Sequence, residues 1–347
     1  MRVSDFDYEL PDELIAQTPL EPRDASLLMV VGRHRGVQGH RHFHDLPTLL
    51  RAGDCLVLND SRVLPARLVG RKNTGGVVEL LLLRRCSLLC WEVLARPARR
   101  LKMGASVVFG SGELTARVVA EGEDGLRHVE FAWEHGSFEE VLDRLGRVPL
   151  PPYIHEELAD PERYQTVYSR QLGSAAAPTA GLHFTPELLS QLQEAGVRVV
   201  TLTLHVGLGT FRPVQVEDVE AHAMHAEAFS LDPETATAIN ATHRERGRVI
   251  AVGTTSARTL ESLAASDVQR ENGIIVEAGS GETSIFIYPG YRFRVIDGLL
   301  TNFHLPKSTL LMLVAAFAGT ETVLAAYREA VSMKYRFFSF GDAMLIV

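Results

Sequence analysis

Between residues 66 and 135 the chain is a series of short apolar runs cut by glycine turns, with no 3.6-residue period. Runs at 66–72 and 77–86 flank Asn73-Thr74-Gly75-Gly76, a hairpin signal. Runs at 107–109, 113–120 and 126–133 follow, separated by Gly110-Ser111-Gly112 and by a Gly- and acid-rich turn at 121–125. Short strands joined by such turns predict an all-β, barrel-like unit.

The flanks read differently. Helical patterns at 11–16, 137–146 and 185–195 carry start signals, among them Ser137 three residues before Glu140 and the Thr185-Pro186-Glu187 opening. Another helix opens at Asp232-Pro233-Glu234, followed by a buried strand at 249–252 and a helix at 256–265. Strand-like runs at 274–276 and 283–287 precede helices at 308–318 and 320–332. The expected fold is an α/β (mixed α+β) body, 1–65 and 136–347, with an inserted all-β domain at 66–135. At 347 residues, 46% hydrophobic and 22% charged, the chain is long enough for two cores. Its composition excludes wholesale disorder, collagen and coiled coil.

Three cysteines make no disulfide framework, and Cys86 and Cys90 lack a second ligand pair for a metal. Acids in the first seven residues stand where a signal peptide needs an apolar stretch. The apolar run at 310–319 is about half of what a membrane span requires. A soluble, cytoplasmic, monomeric enzyme is the expectation.

Charge is unevenly placed. The net charge is −8, yet residues 62–102 hold ten Lys and Arg against Glu79 and Glu92, a local +8. Such a stretch suits a polyanion, or a solvated Arg-rich β surface.

Several polar strings interrupt the body. The small-residue loop 173–185 ends in Gly181-Leu182-His183-Phe184 and lacks the Gly-Lys-Ser/Thr of a P-loop. A strand-like run at 199–204 enters His205-Val206-Gly207-Leu208-Gly209-Thr210-Phe211. The missing third glycine and the Arg212-Pro213 that follows exclude a dinucleotide fingerprint. His222-Ala223-Met224-His225-Ala226-Glu227 concentrates two imidazoles and a carboxylate suited to proton transfer. It lacks the partner pair a structural metal would need. Gly253-Thr254-Thr255-Ser256-Ala257-Arg258 follows a short strand and reads as a cradle for a carboxylate or hydroxyls, or as an ordinary capped helix. Asn302, His304 and Lys307 precede an apolar helix, and 334–342 interleaves cations with aromatics.

In this order, these strings closely resemble the S-adenosylmethionine:tRNA ribosyltransferase-isomerase family of queuosine biosynthesis. The resemblance also takes in Arg23-Asp24, Leu56-Val57-Leu58-Asn59-Asp60-Ser61-Arg62, Pro152-Tyr153-Ile154, Tyr164-Gln165-Thr166-Val167-Tyr168 and Thr301-Asn302-Phe303-His304-Leu305-Pro306-Lys307. Ala25-Ser26-Leu27, Ala257 and His155-Glu156 depart from the family pattern. The resemblance implies transfer and isomerisation of the ribosyl moiety of S-adenosylmethionine onto 7-aminomethyl-7-deazaguanine in a tRNA anticodon loop. Epoxyqueuosine would form, with adenine and methionine released. The chemistry needs bases beside the sulfonium and the attacking amine, and an acid for departing adenine.

The expected catalytic residues are His183, His205, His225, Glu227 and His304. Gly207, Gly209, Gly253, Thr254, Thr255 and Arg258 are expected to hold the donor. Arg62, Arg99, Arg100, Lys102, Asn302, Lys307, Tyr335 and Arg336 are expected at the tRNA, and no metal is expected. The competing readings are a nucleoside- or nucleotide-processing hydrolase and a non-catalytic tRNA-binding protein.

Overall fold

The structure, a computed structural model, describes every residue except Glu157, Leu208 and 210–213. The chain forms two compact units: Met1–Arg62, Pro152–Gln171 and Ala177–Val347 make one, and Val63–Pro151 with Leu172–Ala176 the other.

The first unit is built on a nine-stranded sheet. Its spatial order is Gly279–Thr283, Glu227–Leu231, Arg198–Leu204, Cys55–Asn59, Val249–Val252, Gly298–Asn302, Ala343–Ile346, Leu27–Gly32 and Gly36–His42. The four strands from Arg198–Leu204 to Gly298–Asn302 run parallel, with Val57 opposite both Val200 and Ala251. Ala343–Ile346 runs antiparallel to Gly298–Asn302 and parallel to Leu27–Gly32.

The central strands are short and apolar because both faces are covered. Successive side chains alternate between two cores, as strand geometry requires. Val57, Ala251, Leu299 and Met344 join a core with the helices Gly253–Ser262, Thr309–Ala318 and Thr320–Ser332. Leu56, Leu58, Ile250, Val252 and Leu300 join another with Phe184, Leu188 and Leu192. The apolar run of Thr309–Ala318 is a buried core helix capped by Ser308, whose Oγ accepts from the Leu311 N–H at 3.2 Å. Among the described residues, no single helix is long and apolar enough to cross a membrane.

The second unit is a closed six-stranded antiparallel barrel. Its order is Leu126–Trp133, Cys90–Arg96, Val77–Arg85, Arg67–Lys72, Ser106–Phe109 and Leu114–Glu121, which pairs back onto the first. Val78, Leu80 and Leu82 point inward with Val93, Ala95 and Val129. Gly70 is required by packing, since a Cβ there would sit 2.6 Å from the Phe109 ring. The helix Phe138–Leu145, capped by Ser137 and Glu140, buries Phe138, Val141 and Leu142 in the barrel core. The Phe138 ring lies 5.1 Å from that of Phe131. Truncating such a ring to Ala costs about 3–5 kcal/mol.

The α/β body and the barrel are as the sequence predicts; some elements are not. Residues 11–16 hold no α-helix but the short turn Asp12–Leu14 and an isolated bridge from Ile15 to Phe337. Of the run at 283–287 only Thr283 is in a strand, as the last residue of Gly279–Thr283, and 274–276 contributes an isolated bridge between Ala264 and Val276. The helix expected from 256 begins at Gly253.

Candidate active site

Four parallel strands bring their carboxyl ends to one edge of the sheet, where an open α/β sheet gathers its loops. Asn59 follows Leu58 there and stitches two strands together. Its Oδ1 accepts the Ser61 and Leu204 N–H groups at 3.1 and 3.0 Å, and its Nδ2 donates to the Leu204 carbonyl at 3.0 Å. Asp60 accepts from the Thr203 hydroxyl at 2.7 Å and pairs with Arg170 at 3.2 Å. His205 leaves the next strand half-buried, and its Nδ1 has no partner among the described residues. Burial lowers the His205 pKa, against the opposing pull of Asp60.

His183 ends the turn Thr179–His183 and is buried. Its Nδ1 lies 2.7 Å from Ser26 Oγ, and its Nε2 lies 3.2 Å from Asn302 Nδ2. Its ring stacks on Phe43 with centroids 4.8 Å apart. Asn302 Nδ2 also donates to the Phe338 carbonyl at 3.0 Å, which fixes that atom as the amide nitrogen. His183 Nε2 must therefore accept, and Nδ1 carries the proton toward Ser26. Burial first, then the charges of Arg336 and Arg23, push the His183 pKa down to about 3, so the ring is neutral near pH 7. A pocket opens over it, lined by Arg23, Ser26, Arg163, Leu182, Ser339 and Gly341 among others.

Glu227, in the strand Glu227–Leu231, is the most heavily held carboxylate of the edge. It accepts from the Gly207 N–H at 2.9 Å, meets His225 Nε2 at 3.0 Å and pairs with Arg258. Burial favours its neutral form, but the His225 hydrogen bond and the Arg258 charge outweigh this and hold the pKa at about 2. Gly209 lies against the His225 ring: a Cβ there would stand 2.5 Å from Cγ. The glycines of 205–211 thus seat an imidazole that is itself seated on a carboxylate. Leu208, Thr210 and Phe211 of that motif lie outside the described residues.

Gly253 takes φ +82°, which lets the strand Val249–Val252 turn at once into the helix Gly253–Ser262. No side chain caps that helix. Thr255 Oγ1, Ser256 Oγ and Arg258 Nη2 are buried with no partner among the described residues. Arg258 uses Nη1 on Glu227 and Nε on the Ile285 carbonyl at 3.2 Å. A Cβ on Gly253 would touch Ala180 at 3.6 Å, so the turn Thr179–His183 meets the start of the helix Gly253–Ser262. Free helix N–H groups, two hydroxyls and a guanidinium nitrogen suit a carboxylate or sugar hydroxyls.

Other expected residues lie apart from this constellation. His304 is buried in the larger core, where Nε2 meets Thr301 Oγ1 at 2.9 Å and the Tyr8 hydroxyl donates to its carbonyl. Lys307 is exposed and pairs with Asp7 at 2.8 Å. Tyr335 is fully buried against Phe303, its hydroxyl 2.7 Å from His40 Nδ1, so its ring offers no face to a base in this conformation. Arg336 reaches the Thr18 carbonyl, and its Nη1 is buried without a partner among the described residues. Arg62 pairs with Glu162 at 2.5 Å and donates to Ser169. Among the described residues, His42, His44 and Asp45 are three possible metal ligands grouped on the surface; none is an expected site residue.

On the barrel, cations sort into two kinds. Lys102, Arg84 and Arg85 each meet a carboxylate, at Glu121, Glu92 and Glu139. Arg96, Arg99 and Arg100 are exposed and have no acidic partner among the described residues. Buried Arg127 holds the turn that presents two of them, donating to the Leu101 and Ala98 carbonyls at 2.7 and 2.8 Å.

Ser26, Asp60, Arg170 and Arg23 belong to the edge and were not expected there. Asp60 had a readable signal, a polar Asn59-Asp60-Ser61 string straight after an apolar strand. A single serine such as Ser26 carries none.

A family model described as a queuosine biosynthesis protein matches residues 3–346. Similar curated proteins include the S-adenosylmethionine:tRNA ribosyltransferase-isomerases of Symbiobacterium thermophilum, Moorella thermoacetica and Pelotomaculum thermopropionicum. They are 59%, 58% and 60% identical, with full coverage of both chains in each case. A crystal structure of the S-adenosylmethionine tRNA ribosyltransferase from Thermotoga maritima is similar with a TM-score of 0.57 and 41% identity, covering 99% of this chain and 100% of that one.

Proposed function

The chain belongs to the queuosine biosynthesis protein family, and on that premise we propose that it uses S-adenosylmethionine as a ribosyl donor to modified tRNA. The acceptor is 7-aminomethyl-7-deazaguanine in the anticodon loop, and the products are epoxyqueuosine-tRNA, adenine and methionine. The observation that carries this reading is the assembly, on one sheet edge, of proton-transfer groups and a donor cradle in which Thr255 Oγ1, Ser256 Oγ and Arg258 Nη2 have no partner among the described residues.

The cradle fits the donor. The bare helix N-terminus at Gly253, the Thr255 and Ser256 hydroxyls and Arg258 Nη2 are unsatisfied groups aimed at no protein partner among the described residues. A methionine carboxylate and ribose hydroxyls would satisfy them. The donor supplies a sulfonium that acidifies the neighbouring C–H.

The chain supplies the proton handling. Glu227, ionised across the neutral range, binds His225 through Nε2 and orients that ring for a base at Nδ1. His205, whose Nδ1 has no partner among the described residues, is the second proton-transfer group. His183 is held neutral in one tautomer by Ser26 and Asn302 and works as a fixed hydrogen-bonding wall. His304, deep in the core, supports Thr301 beside Asn302. The reaction as proposed uses no metal. The exposed arginines of the barrel are proposed to meet phosphates flanking unstacked anticodon bases.

Product analysis tests the reading. With S-adenosylmethionine and tRNA carrying the aminomethyl base, adenine and methionine should appear in step with the modified nucleoside, and chelators should leave turnover intact. Release of adenine or a nucleoside without acceptor tRNA would favour a hydrolase. Binding of tRNA with no products would favour a non-catalytic protein.

A further inference from the structure

The hairpin between the barrel strands Val77–Arg85 and Cys90–Arg96 closes on two cysteines. The Cys86 N–H donates to the Cys90 carbonyl at 2.8 Å, and the Ser87 N–H donates to the same oxygen at 3.1 Å. Arg85 stands opposite Trp91, so Cys86 and Cys90 are the next cross-strand pair. Directly opposed residues hold their Cα atoms about 4.5–5.5 Å apart, inside the about 4.4–6.8 Å that a disulfide spans. The third cysteine, Cys55, is buried in the body sheet.

The pair also differs in access. Cys86 is exposed and Cys90 half-buried, with burial and the neighbouring Cys86 raising the Cys90 pKa. An exposed thiol beside a shielded one is the arrangement of a reacting and a resolving cysteine. The tip they close is open to solvent, with Leu88 73% exposed.

We propose that Cys86 and Cys90 are a modification site: a thiol pair that a peroxide converts to a reversible disulfide across the hairpin tip. The Cys86 thiol gives up its proton, and the thiolate attacks one peroxide oxygen to form a sulfenic acid; the O–O bond breaks and the other oxygen leaves as hydroxide, which takes up that proton to become water. Cys90 sulfur then attacks the Cys86 sulfur, the S–S bond forms, the S–O bond breaks, and the sulfenic hydroxyl departs with the Cys90 thiol proton as a second water. Two electrons pass from the sulfurs to the peroxide, and a thiol reductant reverses the change.

The full chain, treated with hydrogen peroxide, quenched and alkylated without unfolding, provides the test. Peptide mapping should show a Cys86–Cys90 cross-link, with loss of both alkylatable thiols and their return after dithiothreitol. Cys55→Ser should leave this result unchanged. In Cys90→Ser the oxidation should stop at a Cys86 sulfenic acid that dimedone traps. Two thiols that stay alkylatable, a covalent dimer, or a Cys90→Ser chain oxidised to the same product as the parent would overturn the proposal.

Discussion

Asn302 Nδ2 lies 3.2 Å from His183 Nε2, and the same nitrogen donates to the Phe338 carbonyl at 3.0 Å. The backbone of one loop thereby sets the tautomer of a buried imidazole on another. Asn302→Asp would place an acceptor against an acceptor and drive a proton onto Nε2. Turnover should fall about twofold to tenfold, the net worth of a hydrogen bond between neutral groups. Nitrogen NMR should show Nε2 change from unprotonated to protonated. Full activity with the original tautomer would refute the assignment.

Acid should weaken the fold through two buried histidines. Burial lowers both His183 and His304 from 6.5 to about 3. The unfolded chain then binds protons that the folded chain refuses, so their contribution is complete above pH 6.5 and is lost progressively toward pH 3. The urea midpoint should drop across that window, and His304→Gln should flatten the drop. Glu227, ionised in the fold down to about 2, adds a loss only below its ordinary 4.5. An unchanged slope in the His304 variant would show that its imidazole is protonated in the fold.

Removing Glu227 alone strands Arg258, which is buried with it. Glu227→Gln should cost about 3–5 kcal/mol, and adding Arg258→Met should recover part of that, because the uncompensated charge goes too. Turnover of Glu227→Gln should fall about 10²–10⁴-fold if His225 is the base it orients. Urea unfolding of the single and double variants, with single-turnover rates, separates the two effects. Near-parental rates in Glu227→Gln would move the base elsewhere.

Reversing Arg96, Arg99 and Arg100 should weaken tRNA binding and reduce the slope of log affinity against log salt by about two to three, with donor binding retained. Reversing Arg84 and Arg85 should do less, since each already faces a carboxylate. Equal effects from the two sets would mean that exposure and pairing do not decide which cations meet the nucleic acid.

Much of this is legible in the sequence. Glycine turns announced the barrel, and the histidine, threonine and glycine strings of the body do converge on one sheet edge. What pattern could not supply was partnership over long separations. Arg258 reads as a free cation in a helix, yet its Nη1 is taken by Glu227, 31 residues away. Tyr335 sits among cations in sequence but is a core ring, because its neighbours in space are Phe303 and His40. The strands Leu27–Gly32 and Ala343–Ile346 pair with each other, and no local period links them.

That last pairing bears on how the molecule is made. The hairpin Leu27–His42 reaches the rest of its sheet only through Ala343–Ile346. A ribosome must therefore extrude some three hundred further residues before the hairpin finds its hydrogen-bonding partner. Until then Leu27–Gly32, paired on one side with Gly36–His42, has its other edge unpaired, open to the wrong neighbour and to chaperones. Closure over such a separation is slow for topological reasons alone. A nascent chain stalled short of residue 343 would hold a finished barrel and an unfinished body.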